Sequence, residues 1–249
     1  MLKSGTMRAI KGPKAPDPEP TGYRAPPAPP VKKLWSAQRR KITPKVGQLT
    51  DDPREIIRIA EELKAIIAPL QLPDPDRNNL HVGLLSSVSK ALIAQAETEV
   101  TANKAAAKPL ARVAITLIAA YPLLADIFWA RVIGSVGVWA VGATEPSPAE
   151  VDENTGSEQP LSEKDKLKRW GMRPDEGTDV YVARVTGVLR LYFEMMFVEY
   201  DGLGNNATQL PAHLRPSRLW AYLAQIINHE GMLARVVAPE AIYGVLFLF

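Results

Sequence analysis

The chain has 249 residues, 46% hydrophobic and 23% charged, with no cysteine, which excludes a collagenous repeat, a disulfide-stapled fold and every thiolate chemistry. Its 30 Lys and Arg against 27 Asp and Glu leave a formal net charge of +3, but the balance is uneven. Residues 1 to 45 carry 11 Lys and Arg against two acids, Asp17 and Glu19, a net +9, and the other 204 carry 19 against 25, a net −6. A mildly acidic body therefore bears a basic arm, where an anionic partner is first sought.

The start, MLKSGTMRAIKGPKAPDPEP, has no apolar run of secretory type. Residues 1 to 30 hold eight of the 22 prolines, a density that favours extended, solvated backbone, and residues 1 to 35 are expected to form a disordered, Pro-rich basic tail. Residues 36 to 249 are expected to form the folded domain. From Val31 to Thr50 basic residues bracket Leu34, Trp35, Ile42 and Val46, a pattern that lies on a surface with its charges outward.

The first helix starts near Pro53, capped by Asp51 or Asp52, with Ile56, Ile59, Ala60, Leu63, Ile66 and Ile67 on one face. The second spans about Asn79 to Ala102 on the stripe Leu85, Val88, Leu92, Ala96 and Val100, which leaves Lys90, Ala94 and Glu97 on another face. Pro109 opens a third helix to Ala120, and Pro122 a fourth to about Ile133. The apolar stretch Val113 to Thr144 is interrupted by Pro122, Asp126 and Arg131. Its longest charge-free pieces are 13 residues each, against the roughly 18 a membrane span needs, so it reads as buried helices. A polar loop is expected at about 144 to 177. Helical spacing returns at Asp179 to Glu199 and Pro216 to Asn228, with a short helix from Pro239. The fold class is all-α, with antiparallel helix pairs stacked as in MIF4G or HEAT domains.

The chain has no phosphate loop, no dinucleotide glycine motif, no H-E-x-x-H and no nucleophile elbow, so it does not read as an enzyme. His81, His213 and His229 are isolated and read as structural or surface residues rather than metal ligands. Glu97 and Glu99 are two apart on a helix and point apart, so they read as solvated or salt-bridged acids. Lys32, Lys33, Arg39, Arg40, Lys41 and Lys45 suit nucleic acid, an acidic protein face or a compact polyphosphate, with a solubilising arm as the plain alternative. Lys90, Lys104, Lys108, Arg112 and Arg131 are spread over three helices, and periodicity does not bring them together.

Five strings occur in order: RRKITPKVGQLT (Arg39 to Thr50), SKALIAQAETEVTANKAAAKPLA (Ser89 to Ala111), YPLLADIFWARV (Tyr121 to Val132), GVLRLYFEMM (Gly187 to Met196) and RLWAYLAQIIN (Arg218 to Asn228). They resemble the carboxy-terminal domain of the Gle-one family of nuclear-pore mRNA export factors, over about residues 36 to 243. The resemblance implies a helical MIF4G-like domain that is not itself an enzyme. It implies a place at the cytoplasmic face of the nuclear pore, in the nucleus and cytoplasm, where family members activate a DEAD-box RNA helicase to remodel exported messenger particles. In some members inositol hexakisphosphate bridges the two proteins, and an FG nucleoporin holds the carboxy-terminal part. Translation initiation factors are further partners on this reading.

Carried over position by position, the resemblance assigns inositol-phosphate binding to Lys90 in SKALIA and Lys45 in TPKVGQ, with Lys41 as a further choice. Ala94, Gly134 and Ser135 stand where the family has basic residues. Losing three cations at about 1 kcal/mol each would weaken polyanion binding roughly 100-fold, so weak binding is expected. The apolar end AIYGVLFLF, Ala241 to Phe249, suggests a truncated gene model and puts the nucleoporin contact in question. An alternative function remains open: a MIF4G-like RNA-binding or translation-factor scaffold, with RNA contacted directly by the arm.

Overall fold

Helices form here where apolar residues return every three or four positions behind a proline or a short polar cap. A computed structural model describes residues 29–68, 72, 74–142, 149–151, 158–160, 162–198 and 210–247. The expected tail, residues 1 to 28, lies outside the described residues.

The helical body starts earlier than the expected boundary at residue 36. Helix α1 runs Pro29–Val46, its Val31, Ile42 and Val46 are buried, and Leu34 and Trp35 pack on the core. Helix α2 (Pro53–Ile67) follows its sequence pattern: the Asp52 side chain accepts from the Arg54 N–H, and Ile56, Ile59, Ala60, Leu63 and Ile67 are buried. Helix α3 (Asp74–Gln95) starts ahead of Asn79 and stops at Gln95, where one π-turn, Ala96–Val100, replaces the expected continuation. The whole predicted stripe Leu85, Val88, Leu92, Ala96 and Val100 is nonetheless buried.

Helices α4 (Ala107–Ala120) and α5 (Leu123–Val136) meet at Tyr121 and Pro122. The stretch Leu123–Ala140 is long and apolar enough to cross a membrane, with mean hydropathy 1.4, a test that the core helix of a globular fold also passes. Here α5 ends at Val136, and Leu124, Phe128, Val132 and Val136 are buried in the protein core. Within the expected polar loop at 144 to 177, some of the described residues form regular structure. It contains a short hairpin, β1 (Ala149–Val151) antiparallel to β2 (Glu158–Pro160), and a seven-residue helix, α6 (Glu163–Arg169). Helices α7 (Thr178–Phe197), α8 (Ser217–Ile227), α9 (Glu230–Leu233) and α10 (Ala238–Leu246) complete an all-α body, apart from the hairpin.

Packing sets which surfaces remain free. Helix α3 is flanked by α1 and α5, and α7 packs against α4, the π-turn and α10. The Trp35 ring lies over Gly83, and Gly47 lies beside Gln95, the same sequence offset twice, so α1 runs parallel to α3. Fully buried Trp139, Tyr192, Phe128 and Phe193 join one continuous core, each large side chain contributing about 1.5–3 kcal/mol by burial.

Candidate functional site

The outer face of α3, the end of α5 and the segment around α6 enclose an open groove of about 540 Å³. Lys90 and Ala94 come from α3, one turn apart, and Glu97 follows from the π-turn. Arg131, Gly134 and Ser135 come from α5, and Lys164 and Lys168 from α6. Arg173 enters from the turn after α6. Among the described residues five cations thus surround one carboxylate, a field that attracts a compact anion.

Glu97 is occupied. It accepts from Ser135 Oγ at 2.7 Å and from the Arg173 guanidinium at 2.7 Å, and Arg184 stands 3.9 Å away. Arg131 donates to Ser86 Oγ at 2.5 Å, while its buried Nε has no partner among the described residues. No ion pair holds the ammonium groups of Lys90, Lys164 or Lys168 among the described residues. Such groups are ready to donate to a phosphate without first breaking a protein contact.

Local sequence explains why α6 lies there. Ser162 caps it, accepting from the Asp165 N–H at 3.2 Å. Glu163 and Asp165 sit in the first turn and Lys166, Lys168 and Arg169 in the last, in keeping with the helix dipole. Lys164 and Lys168, four apart, share one face, whereas Lys166 pairs with Glu163 at 2.6 Å. Beyond the helix, Gly171 (φ +76°) meets Gly137 (φ +60°) at the end of α5, an approach too close for any side chain. Buried Arg184 locks the turn: it donates to the Gly171 carbonyl at 2.6 Å, the Ser135 carbonyl at 2.9 Å and Glu176 at 2.6 and 2.7 Å. Burial works against the Glu176 carboxylate, but Arg184 and the Arg173 backbone N–H outweigh it and hold its pKa below the ordinary value. Tyr181 accepts from Trp139 Nε1 at 2.7 Å and donates to the Trp170 carbonyl at 2.8 Å, tying α7 to the same turn.

Of the residues predicted from sequence, Lys90 lines the groove, and so do Ala94, Gly134 and Ser135. Lys45 does not line it; its ammonium pairs with Glu62 of α2 at 2.6 Å, and Lys41 is exposed on α1. The parallel register of α1 and α3 places Lys41 and Lys45 at the level of Ser89 to Ile93, beside Lys90 along the helix axis. Arg131 joins Lys90, whereas Lys104 lies over the Tyr243 ring in a second groove between α7 and α10. Lys164, Lys168 and Arg173 were not foreseen, although the Ser162 to Asp165 capping pair marks the helix that carries two of them. Each histidine has a structural contact: His81 meets Tyr121 edge-on, His213 stacks on Trp129, and His229 accepts from the Met232 N–H.

The sequence pattern of the GLE1-like protein family matches residues 24–246. The chain belongs to that family. The mRNA export factor GLE1 of Saccharomyces cerevisiae is 28% identical over 199 residues, which cover 80% of this chain and 34% of that protein. The mRNA export factor gle1 of Schizosaccharomyces pombe is 33% identical over 101 residues, 41% of this chain and 20% of that protein. This GLE1-like chain therefore spans about a third or less of these curated relatives' length. Among solved structures, the S. cerevisiae complex of the Dbp5 C-terminal domain bound to Gle1 and IP6 matches with a TM-score of 0.68 and 24% identity, covering 88% of this chain and 68% of that one. A second such complex, with a variant Gle1, gives a TM-score of 0.69 at 24% identity. At that identity the likeness is one of fold, and it agrees with the all-α architecture of the GLE1-like chain.

Proposed function

We propose that this GLE1-like chain acts in mRNA export as an adaptor for a DEAD-box RNA helicase, raising its ATP turnover at the cytoplasmic face of the nuclear pore. Inositol hexakisphosphate, held in the groove between α3, α5 and α6, is the proposed bridge. The observation that carries this reading is the groove itself: among the described residues Lys90, Lys164 and Lys168 have no ion pair, and the buried Nε of Arg131 has no acceptor. That donor set fits a polyphosphate, and the solved complexes of the same fold pair Gle1 with Dbp5 and IP6. When bound, the polyanion supplies negative charge that two basic protein faces can both contact, turning repulsion into charge-assisted hydrogen bonds.

In this arrangement Lys90 holds the ligand directly. Lys45 and Lys41, at the same level on α1, are the residues proposed to reach it from the adjacent helix, Lys45 by leaving Glu62. An FG nucleoporin is the proposed partner for the carboxy-terminal helices, where Trp220, Ile227 and Tyr243 are about half exposed. Translation initiation factors are further proposed partners. ATPase assays with the cognate helicase, with and without inositol hexakisphosphate, test the reading; stimulation that needs both supports it.

A second reading, direct RNA binding, draws on α1. Its exposed Lys32, Lys33, Arg40 and Lys41 have no ion pair among the described residues, and the helix has no acid. Trp35 is half-buried under Arg39 at 4.7 Å, so α1 offers phosphate contacts without a free stacking ring. Salt-sensitive RNA binding without helicase stimulation would favour this second reading.

A further inference from the structure

We infer that Lys164 and Lys168 of α6, with Arg131 beside them, supply the anion-holding charge that Ala94, Gly134 and Ser135 do not, so that this groove binds a compact polyphosphate through its α6 wall. The inference rests on the proposed polyphosphate reading of the groove and assigns it new residues.

Three observations support it. First, the small side chains and the cations face the same space: Ala94, Gly134 and Ser135 line the groove together with Lys164 and Lys168. A β carbon at Gly134 meets nothing within 4 Å, so this side of the groove is open. Long basic side chains at 94 and 134 would fill the space in front of α6; short ones leave it to a ligand.

Second, the α6 lysines are held in place but not neutralised. Their helix is fixed at its end by the crossing of Gly137 and Gly171 and by the Arg184 hydrogen bond to the Gly171 carbonyl. Lys166, on another face, takes the local acid Glu163 and leaves Lys164 and Lys168 without an ion pair among the described residues. Third, Glu97, the one carboxylate among the described residues that line the groove, is bound to Arg173 and Ser135 and lies near Arg184, so it does not cancel the lysines. Arg131, which also lines the groove, has a buried Nε without a partner among the described residues. Charge that positions 94, 134 and 135 do not carry is thereby supplied from a segment distant in sequence, and binding is stronger than those positions alone would give.

Calorimetric titration of inositol hexakisphosphate into the 249-residue chain, at two salt concentrations, tests this. The double variant Lys164→Ala/Lys168→Ala should bind about 10- to 30-fold more weakly, with a shallower salt dependence and an unchanged melting temperature. Lys164→Arg/Lys168→Arg should restore binding. If the alanine pair binds as the wild type does while Lys90→Ala weakens binding, the α6 assignment is wrong and the groove reading stands. If the wild type itself does not bind, both fail. Weakening that the arginine pair does not rescue also counts against the assignment, because charge is then not what was lost.

Discussion

Gly137 and Gly171 cross so closely that a β carbon on Gly137 would stand 2.5 Å from the Gly171 amide nitrogen. One on Gly171 would stand 2.3 Å from the Val136 carbonyl carbon, and both residues have positive φ. Gly171→Ala therefore combines backbone strain of about 1–2 kcal/mol with overpacking of about 1–3 kcal/mol. Urea unfolding should show a loss of about 2–5 kcal/mol, accompanied by weaker polyphosphate binding as α6 shifts. Gly177→Ala, where a β carbon meets nothing within 4 Å, should stay within about 0.5 kcal/mol of wild type.

The Arg184–Glu176 pair, 2.6 Å apart with both side chains about 5% exposed, makes a second prediction. Arg184→Ala leaves a buried carboxylate without its partner and should cost about 3–5 kcal/mol in the same assay. The acid dependence follows from the lowered Glu176 pKa. Its stabilising share is present above the unfolded value of 4.5 and is lost as pH falls from there through the folded value. Glu176→Gln should be less stable than wild type at pH 7 and should flatten stability below pH 4.5; an unchanged acid limb would assign that limb to other groups.

What the sequence made legible was amphipathic repetition. The Ile56 to Ile67 face of α2 and the Leu85 to Val100 stripe could be read because each places its apolar residues on one side. The π-turn left no trace in that stripe, since Ala96 and Val100 face the core before and after the extra residue is inserted. Helix α1 has no counterpart among the expected helices, because the proline density suggests a tail and residues 31 to 50 a surface segment, while Pro29 and Pro30 occupy the first turn, where a missing N–H costs nothing. Helix α6, EKDKLKR, has Leu167 as its one apolar residue, so it shows no stripe. The resemblance pointed to Lys90, Ala94, Gly134 and Ser135, which line the groove, and also to Lys45 and Lys41, which do not. The α6 half depends on a crossing of two glycines distant in sequence, which no local pattern reveals.

His213 predicts a pH response near neutrality. Its ring stacks on Trp129 with centroids 5.4 Å apart, and burial lowers its pKa, opposed by Asp126 and by a backbone hydrogen bond to Ala125. The fold thus prefers the neutral ring. Stability from this group is complete above the unfolded value of 6.5 and declines as pH falls from there toward the folded value. The melting temperature of wild type should drop between pH 7.5 and 5.5, and His213→Phe, which keeps the ring, should reduce that drop. An equal drop in both proteins would remove His213 from the account.

The central claim is that the cationic groove of this GLE1-like chain holds the polyphosphate that couples it to a helicase, and ATP turnover measures that coupling most directly. The cognate DEAD-box helicase would be assayed with wild type and with Lys90→Glu, each with and without inositol hexakisphosphate. The account predicts stimulation that grows with the polyphosphate and is lost in the variant. Stimulation by wild type that is indifferent to the polyphosphate, or equal in Lys90→Glu, would contradict it.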